Sequence, residues 1–170
     1  MAPIIFVLGG ARSGKSRFAE RRTRAFAAKE NVYIATAECR DAEMEHRIAL
    51  HRSRRGAEWR TIEAPYRLAQ TLSTEALGGR AILVDCLTLW LTNHLLADAD
   101  LEAEGDSLAS ALATAGCPVV LVSNEVGLSI VPENALARRF RDEAGQLNQK
   151  IATIADEAWF IAAGLPLRLK

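Results

Sequence analysis

Eight residues near the amino end, Gly9-Gly10-Ala11-Arg12-Ser13-Gly14-Lys15-Ser16, fit the pattern G-x-x-x-x-G-K-[ST] without a gap. They follow directly on the apolar run Ile4-Ile5-Phe6-Val7-Leu8. That order restricts the fold tightly. The apolar run reads as a buried strand, the glycines as a tight turn, and Ser16–Ala28 as a helix. Strand, turn and helix in succession aim the N–H groups of the turn and of the helix N-terminus at one point, which makes an anion site. Lys15 can reach the β- and γ-phosphates of a nucleoside triphosphate, and the Ser16 hydroxyl can hold Mg²⁺. The bland alternative, a glycine turn beside a surface lysine, does not account for the strand before it and the helix after it.

The rest of the chain continues the theme. Short, apolar, β-branched segments at Pro3–Leu8, Val32–Thr36, Trp59–Glu63, Ala81–Asp85, Pro118–Ser123 and Ala158–Ala162 read as strands, with a short last one at Leu165–Leu169. Helical spacing marks Ser16–Ala28, Ala42–Arg54, Tyr66–Ala76, Leu87–Leu96, Asp106–Ala115 and Glu133–Ala155. Apolar strands alternating with helices predict an α/β fold, a mainly parallel sheet with helices on both faces. Residues 1–170 read as one domain. The stripe Leu136, Phe140, Ala144, Leu147, Ile151, Ile154 predicts one buried helix face, covering the sheet or in part meeting another subunit, and the acidic stretch Asp98–Asp106 reads as a solvated loop.

Composition narrows the functional classes. No apolar run approaches the ~18 residues of a membrane span, and the N-terminus lacks the basic flank of a signal peptide. Cys39, Cys86 and Cys117 lack metal-site spacing and suit a reducing cytoplasm. Formal net charge is +0, with cations in excess from Gly10 to Arg60 and acids in excess elsewhere. That pattern favours a small polyanion over a nucleic acid.

Beyond the loop, Asp85 ends an apolar strand, where an acid can assist the Mg²⁺ of a bound triphosphate or simply cap the next helix. On the predicted helix Ala42–Arg54, His51 shares a face with Met44 and Ile48, while His46 looks outward. His51 is therefore either a satisfied core histidine or a nucleophile or base facing phosphate. Arg47, Arg52, Arg54 and Arg55 surround it in sequence, and guanidinium forks match phosphate oxygens. A solvated helix end explains the arginines equally well. His94, spaced with Leu87, Trp90 and Leu91, reads as core or interface. The loop Ser123-Asn124-Glu125-Val126-Gly127 is a candidate substrate loop or a plain turn, and it is not the N-K-x-D guanine signature.

These motifs, together with Tyr33-Ile34-Ala35-Thr36-Ala37, Glu43-Met44, Trp59-Arg60-Thr61-Ile62-Glu63, Asp85-Cys86-Leu87-Thr88, Thr92-Asn93, Ile130-Val131-Pro132-Glu133-Asn134 and Asn148-Gln149, run in an order that resembles one family. It is the bifunctional adenosylcobinamide kinase/adenosylcobinamide-phosphate guanylyltransferase family of cobalamin biosynthesis. The resemblance implies a P-loop NTPase fold of RecA-like type. It implies phosphorylation of a corrinoid hydroxyl by ATP or GTP, then transfer of GMP from GTP to that phosphate. The guanylylated histidine falls on His51, and Lys15 serves both steps. Nucleotide contacts fall on Gly9, Gly10, Ala11, Arg12, Ser13, Gly14, Lys15 and Ser16, on Ala35, Thr36 and Ala37, on Arg52, Ser53, Arg54 and Arg55, and on Glu63 and Asp85. Ser16 and Asp85 are the Mg²⁺ candidates. A cytoplasmic homo-oligomer, by resemblance a trimer, is expected, with no nucleic acid partner. The alternatives are a plain small-molecule kinase, in which His51 is core, and a nucleotide-gated assembly module.

Overall fold

Strand β1 (Ile4–Gly9) shows why this sequence needs cover on two sides. Ile4 and Phe6 enter one hydrophobic cluster, Ile5 and Val7 another, and all four are at most 4 % exposed. The same alternation recurs in β2 (Glu30–Ala35), β4 (Arg80–Asp85) and β5 (Val119–Asn124), so the sheet is apolar on both faces. The computed structural model of the protein describes residues 2–38, 56 and 58–170.

With β3 (Trp59–Glu63), β6 (Glu157–Ala162) and β7 (Leu165–Arg168), the strands form one seven-stranded sheet in the order β3-β2-β4-β5-β1-β6-β7. All pairings are parallel except β6 with β7. One face is covered by α2 (Leu68–Glu75), α3 (Leu87–Leu96), α4 (Leu101–Ala113) and α5 (Ala135–Ile154), through Leu68, Leu72, Trp90, Leu108, Leu112, Leu147 and Ile151. On the other, α1 (Lys15–Arg24) packs through Phe18 and Ala19. Its Arg22 guanidinium pairs with both oxygens of Glu157 at 2.9 and 2.7 Å. The predicted α/β design with helices on both faces is present, and among the described residues no helix is long and apolar enough to cross a membrane.

Three expectations need correction. Asp98–Asp106 is not a loop throughout, because α4 begins at Leu101. Asp100 caps it, its Oδ1 accepting from the Ala103 N–H at 3.1 Å, and Glu102 and Glu104 favour the positive end of the helix dipole. The acids therefore start a helix. Helix α1 ends at Arg24 rather than Ala28, since Ala27 adopts φ 48° as the chain turns back toward β2. Leu136 is 49 % exposed, so the buried stripe of α5 is carried by Ala144, Leu147 and Ile151. The predicted helix Ala42–Arg54 lies outside the described residues.

Candidate active site

The phosphate loop leaves β1 at Gly9, and close packing explains the glycine there. A Cβ at Gly9 would lie 2.6 Å from the Ile161 carbonyl oxygen and 2.7 Å from Ser13 Oγ. Arg12 (φ 55°) and Gly14 (φ 94°) occupy the left-handed region, the curl by which such loops turn amides inward. Gly14 is also the residue before α1, and Lys15 and Ser16 open that helix. The Lys15 ammonium donates to the Gly10 carbonyl at 3.1 Å, which holds it over the loop. A second support comes from the β6–β7 hairpin. Its tight turn is Ala163 (φ 51°) and Gly164 (φ 79°), and the Gly164 N–H donates to the Ser13 carbonyl at 2.8 Å. Gly9→Ala should therefore lose about 1–3 kcal/mol of stability through overpacking. It should also weaken nucleotide binding at least ~10-fold by displacing Ser13 or the hairpin. Isothermal titration with GTP reads the second effect, and a wild-type Kd would show that the loop does not depend on this contact.

The other predicted residues stand at the carboxyl ends of neighbouring strands. Ala35 ends β2, with Thr36 and Ala37 following; it is in register with Glu63 at the end of β3 and Asp85 at the end of β4. Gly9 is in register with Asn124 at the end of β5. At ~4.8 Å per strand, Gly9 to Glu63 spans about 19 Å along one sheet edge, room for an extended ligand. Asp85 is not spent on capping, because the residue before α3 is Cys86 and no side chain caps that helix. Thus the structure brings together Gly9–Ser16, Ala35–Ala37, Glu63 and Asp85. His51, Arg52, Ser53, Arg54 and Arg55 lie outside the described residues, as do His46 and Arg47. His94 is core, 5 % exposed, with Nε2 3.1 Å from the Tyr66 carbonyl. In the loop after β5, Glu125 turns its carboxylate onto the Gly127 N–H, and its own N–H donates to the Gly9 carbonyl at 3.1 Å. That favours the turn reading of this segment.

Cys86 follows Asp85 at the end of β4 and is buried. Burial, and secondarily the Asp85 carboxylate, push its thiol up to about 11, with Lys15 partly opposing. Burial likewise raises Cys117 to about 11. Both groups stay protonated in the fold between their ordinary value of 9.0 and about 11, while the unfolded chain releases the protons. Stability therefore falls as pH rises through that window. The urea midpoint should drop from pH 8.5 to 10.5 by more than in a Cys86→Ala/Cys117→Ala variant; equal slopes would contradict the assignment.

Two buried polar clusters lie behind the site; Thr36, Ser123 and Asn124 in them are sequence candidates, whereas Thr88, Asn93 and Asn148 carry no role in the sequence reading, and the Thr36 hydroxyl is spent inside the fold. In one, Thr36 Oγ1 donates to the Cys86 carbonyl at 2.6 Å and accepts from the Cys86 N–H at 2.9 Å, while Asn93 Nδ2 donates to the Thr36 carbonyl. In the other, Ser123 Oγ donates to Asn148 Oδ1 at 2.7 Å, and Thr88 Oγ1 accepts from the Asn124 N–H at 2.7 Å. The available signal was an asparagine or threonine inside an apolar helix pattern, which demands a hydrogen-bond partner when buried.

The sequence model for "Cobinamide kinase / cobinamide phosphate guanyltransferase" matches residues 5–169. The chain belongs to that family. It is 53 % identical over 169 residues to the bifunctional adenosylcobalamin biosynthesis protein CobP of Pseudomonas aeruginosa, covering 96 % of this chain and 95 % of that one. It is 40 % identical over 182 residues to CobU of Salmonella typhimurium, a protein with the same description, covering 98 % and 99 %. Among solved structures it resembles the flagellar accessory protein FlaH of Methanocaldococcus jannaschii, with a TM-score of 0.55 at 14 % identity, covering 99 % of this chain and 78 % of that one. That last likeness concerns the fold alone, which is of the P-loop NTPase type. Family membership makes the chain an enzyme of cobalamin biosynthesis, and its two activities draw on nucleotide substrates.

Proposed function

We propose that this enzyme first phosphorylates the aminopropanol hydroxyl of adenosylcobinamide, with ATP or GTP as donor, and then guanylylates the new phosphate by way of His51. The observation that supports the reading is the single row of strand ends, in which Gly9–Ser16, Asp85, Ala35–Ala37 and Glu63 share one edge of the sheet. One cradle then serves both steps, with the family's residues in contact with the nucleotide.

In the kinase step the corrinoid oxygen attacks the γ-phosphorus. The γ P–O bond to the departing diphosphate breaks, and the hydroxyl proton passes to solvent. Loop amides and Lys15 neutralise charge that develops on the phosphoryl oxygens. In the second step a neutral imidazole nitrogen of His51 attacks the α-phosphorus of GTP. A P–N bond forms, the α–β bridging bond breaks, and pyrophosphate leaves with the electron pair. Lys15 and the guanidinium groups of Arg52, Arg54 and Arg55 steady the leaving group. The corrinoid phosphate then displaces the imidazole, giving adenosylcobinamide-GDP. Splitting the transfer in two makes a weak nucleophile sufficient.

Mg²⁺ suits the donor set. The Ser16 hydroxyl and the Asp85 carboxylate are hard oxygen ligands. Among the described residues no group of three or more His, Cys, Asp or Glu could cage an ion unaided. That matches an ion that keeps water and phosphate oxygens in its shell. When bound, it would offset charge on the triphosphate. The protein acts in the cytoplasm, as one domain, and as a homo-oligomer, a trimer in our reading.

The test follows both phosphorus atoms. With adenosylcobinamide and GTP, γ-label should enter the corrinoid in the first step and α-label in the second, so the final product carries both. A product with γ-label alone would reduce the protein to a simple kinase.

A further inference from the structure

The loop from β5 to α5 holds apolar side chains out in water. Ile130 and Leu128 are the two most exposed large apolar side chains among the described residues, at 93 % and 83 %, and Val131 is 58 % exposed. A single exposed leucine is ordinary, but three such side chains within residues 128–131 make a patch. The loop is braced rather than collapsed. Ser129 Oγ donates to the Val126 carbonyl at 3.3 Å. Arg138 Nη1 donates to the Pro132 carbonyl at 3.0 Å and to the Glu133 carbonyl, and Asn134 Oδ1 accepts from the Ala137 N–H at 3.1 Å. Glu125 is spent on the Gly127 N–H, so what the turn presents beyond it is aliphatic.

The position of this patch gives it a use. Strand β5 is the hydrogen-bonded neighbour of β1, Asn124 is in register with Gly9, and the Glu125 N–H donates to the Gly9 carbonyl. The loop therefore springs from a point one strand spacing, ~4.8 Å, from the start of the phosphate loop. Leu128 is three residues beyond Glu125 and so within ~11 Å of that root. The phosphate loop itself, Gly9–Ser16, carries no large apolar side chain. We propose that Leu128, Ile130 and Val131 form the platform on which the corrin macrocycle of the acceptor rests while its hydroxyl arm reaches the phosphate loop. The inference rests on the kinase reading above and gives the acceptor its place. A corrin is a broad disc with methyl-bearing edges and polar arms, so it needs an aliphatic surface beside an anion cradle. Covering that surface removes it from water, and the free energy gained helps hold the hydroxyl near the γ-phosphorus. A second copy of the chain is the rival occupant, and it predicts a change in assembly instead of substrate affinity.

Three measurements on the full chain separate these outcomes: equilibrium dialysis against adenosylcobinamide read by corrin absorbance, KM values for corrinoid and for GTP in phosphorylation, and sedimenting mass. Leu128→Ser/Ile130→Ser changes only exposed side chains. It should weaken adenosylcobinamide binding and raise its KM about 10-fold or more, as expected when two aliphatic side chains lose their cover. The KM for GTP should stay within about twofold, and the mass should not change. Leu128→Met/Ile130→Val keeps the apolar surface and should bind corrinoid within about threefold of wild type. Leu77→Ser, at a half-exposed leucine before β4 on the opposite edge of the sheet, should alter neither constant. Unchanged corrinoid affinity in the serine variant, or a loss accompanied by altered mass, overturns the platform. A wild type that binds adenosylcobinamide with this dependence yet does not phosphorylate it overturns the kinase reading and supports the platform. A wild type that binds no corrinoid overturns both.

Discussion

His51→Ala should leave no covalent nucleotide on the protein. Incubated with α-labelled GTP, the wild type should carry an acid-labile, alkali-stable label, as a phosphoramidate does, and the variant none. The expected loss in guanylyl transfer is about 10⁴-fold or more, the scale seen when a nucleophile is removed and only binding and electrostatics remain. Kinase turnover should persist, because that step needs a corrinoid oxygen at the γ-phosphorus and no imidazole. Normal labelling in the variant would falsify the assignment and return His51 to the core. Loss of both activities with a native thermal midpoint would show that the histidine serves the triphosphate generally.

Lys15→Ala should weaken both reactions. Its ammonium stands over the loop, bonded to the Gly10 carbonyl, and it is close enough to Cys86 to oppose the upward shift of that thiol. In the proposed reading this ammonium meets the β- and γ-phosphates. Removing one preorganised donor from such a site costs on the order of 10²–10³-fold in turnover. Both kcat for phosphorylation and the rate of histidine labelling should fall by that factor. Unaffected phosphorylation would mean that the two steps use separate nucleotide sites.

Much of this enzyme is readable in the letters of the chain, and the reason differs from place to place. The phosphate loop is legible because its chemistry is made by backbone that only glycine permits, as the contacts around Gly9 and the left-handed Gly14 show. The strand end at Asp85 is legible because an apolar run stops at a polar residue, whereas Glu63, which follows Arg60, Thr61 and Ile62, enters only through the family resemblance. Leu101–Asp106 misleads because acids that favour a helix start look the same as acids in a solvated loop; only the capping bond of Asp100 separates them. Leu136 misleads because periodicity cannot tell how far along a helix its packing partner extends. Asn93 is visible as a motif residue, yet its task is hidden. Its partners are carbonyl oxygens of Thr36 and Pro65, and a carbonyl carries no side-chain identity. The hairpin that props Ser13 is hidden for a similar reason, since a Gly164 amide meeting a distant carbonyl leaves no pattern.

The place of β1 in the sheet also bears on how the protein comes into being. Its two neighbours, β5 and β6, and the turn that braces its loop are all translated long after it. While the ribosome is still at work, the nucleotide grip has no walls, so cellular GTP has nothing to hold on the growing polypeptide. Ligand-driven stabilisation reaches this enzyme only once nearly the whole chain has emerged, which leaves its early folding to the apolar strands alone.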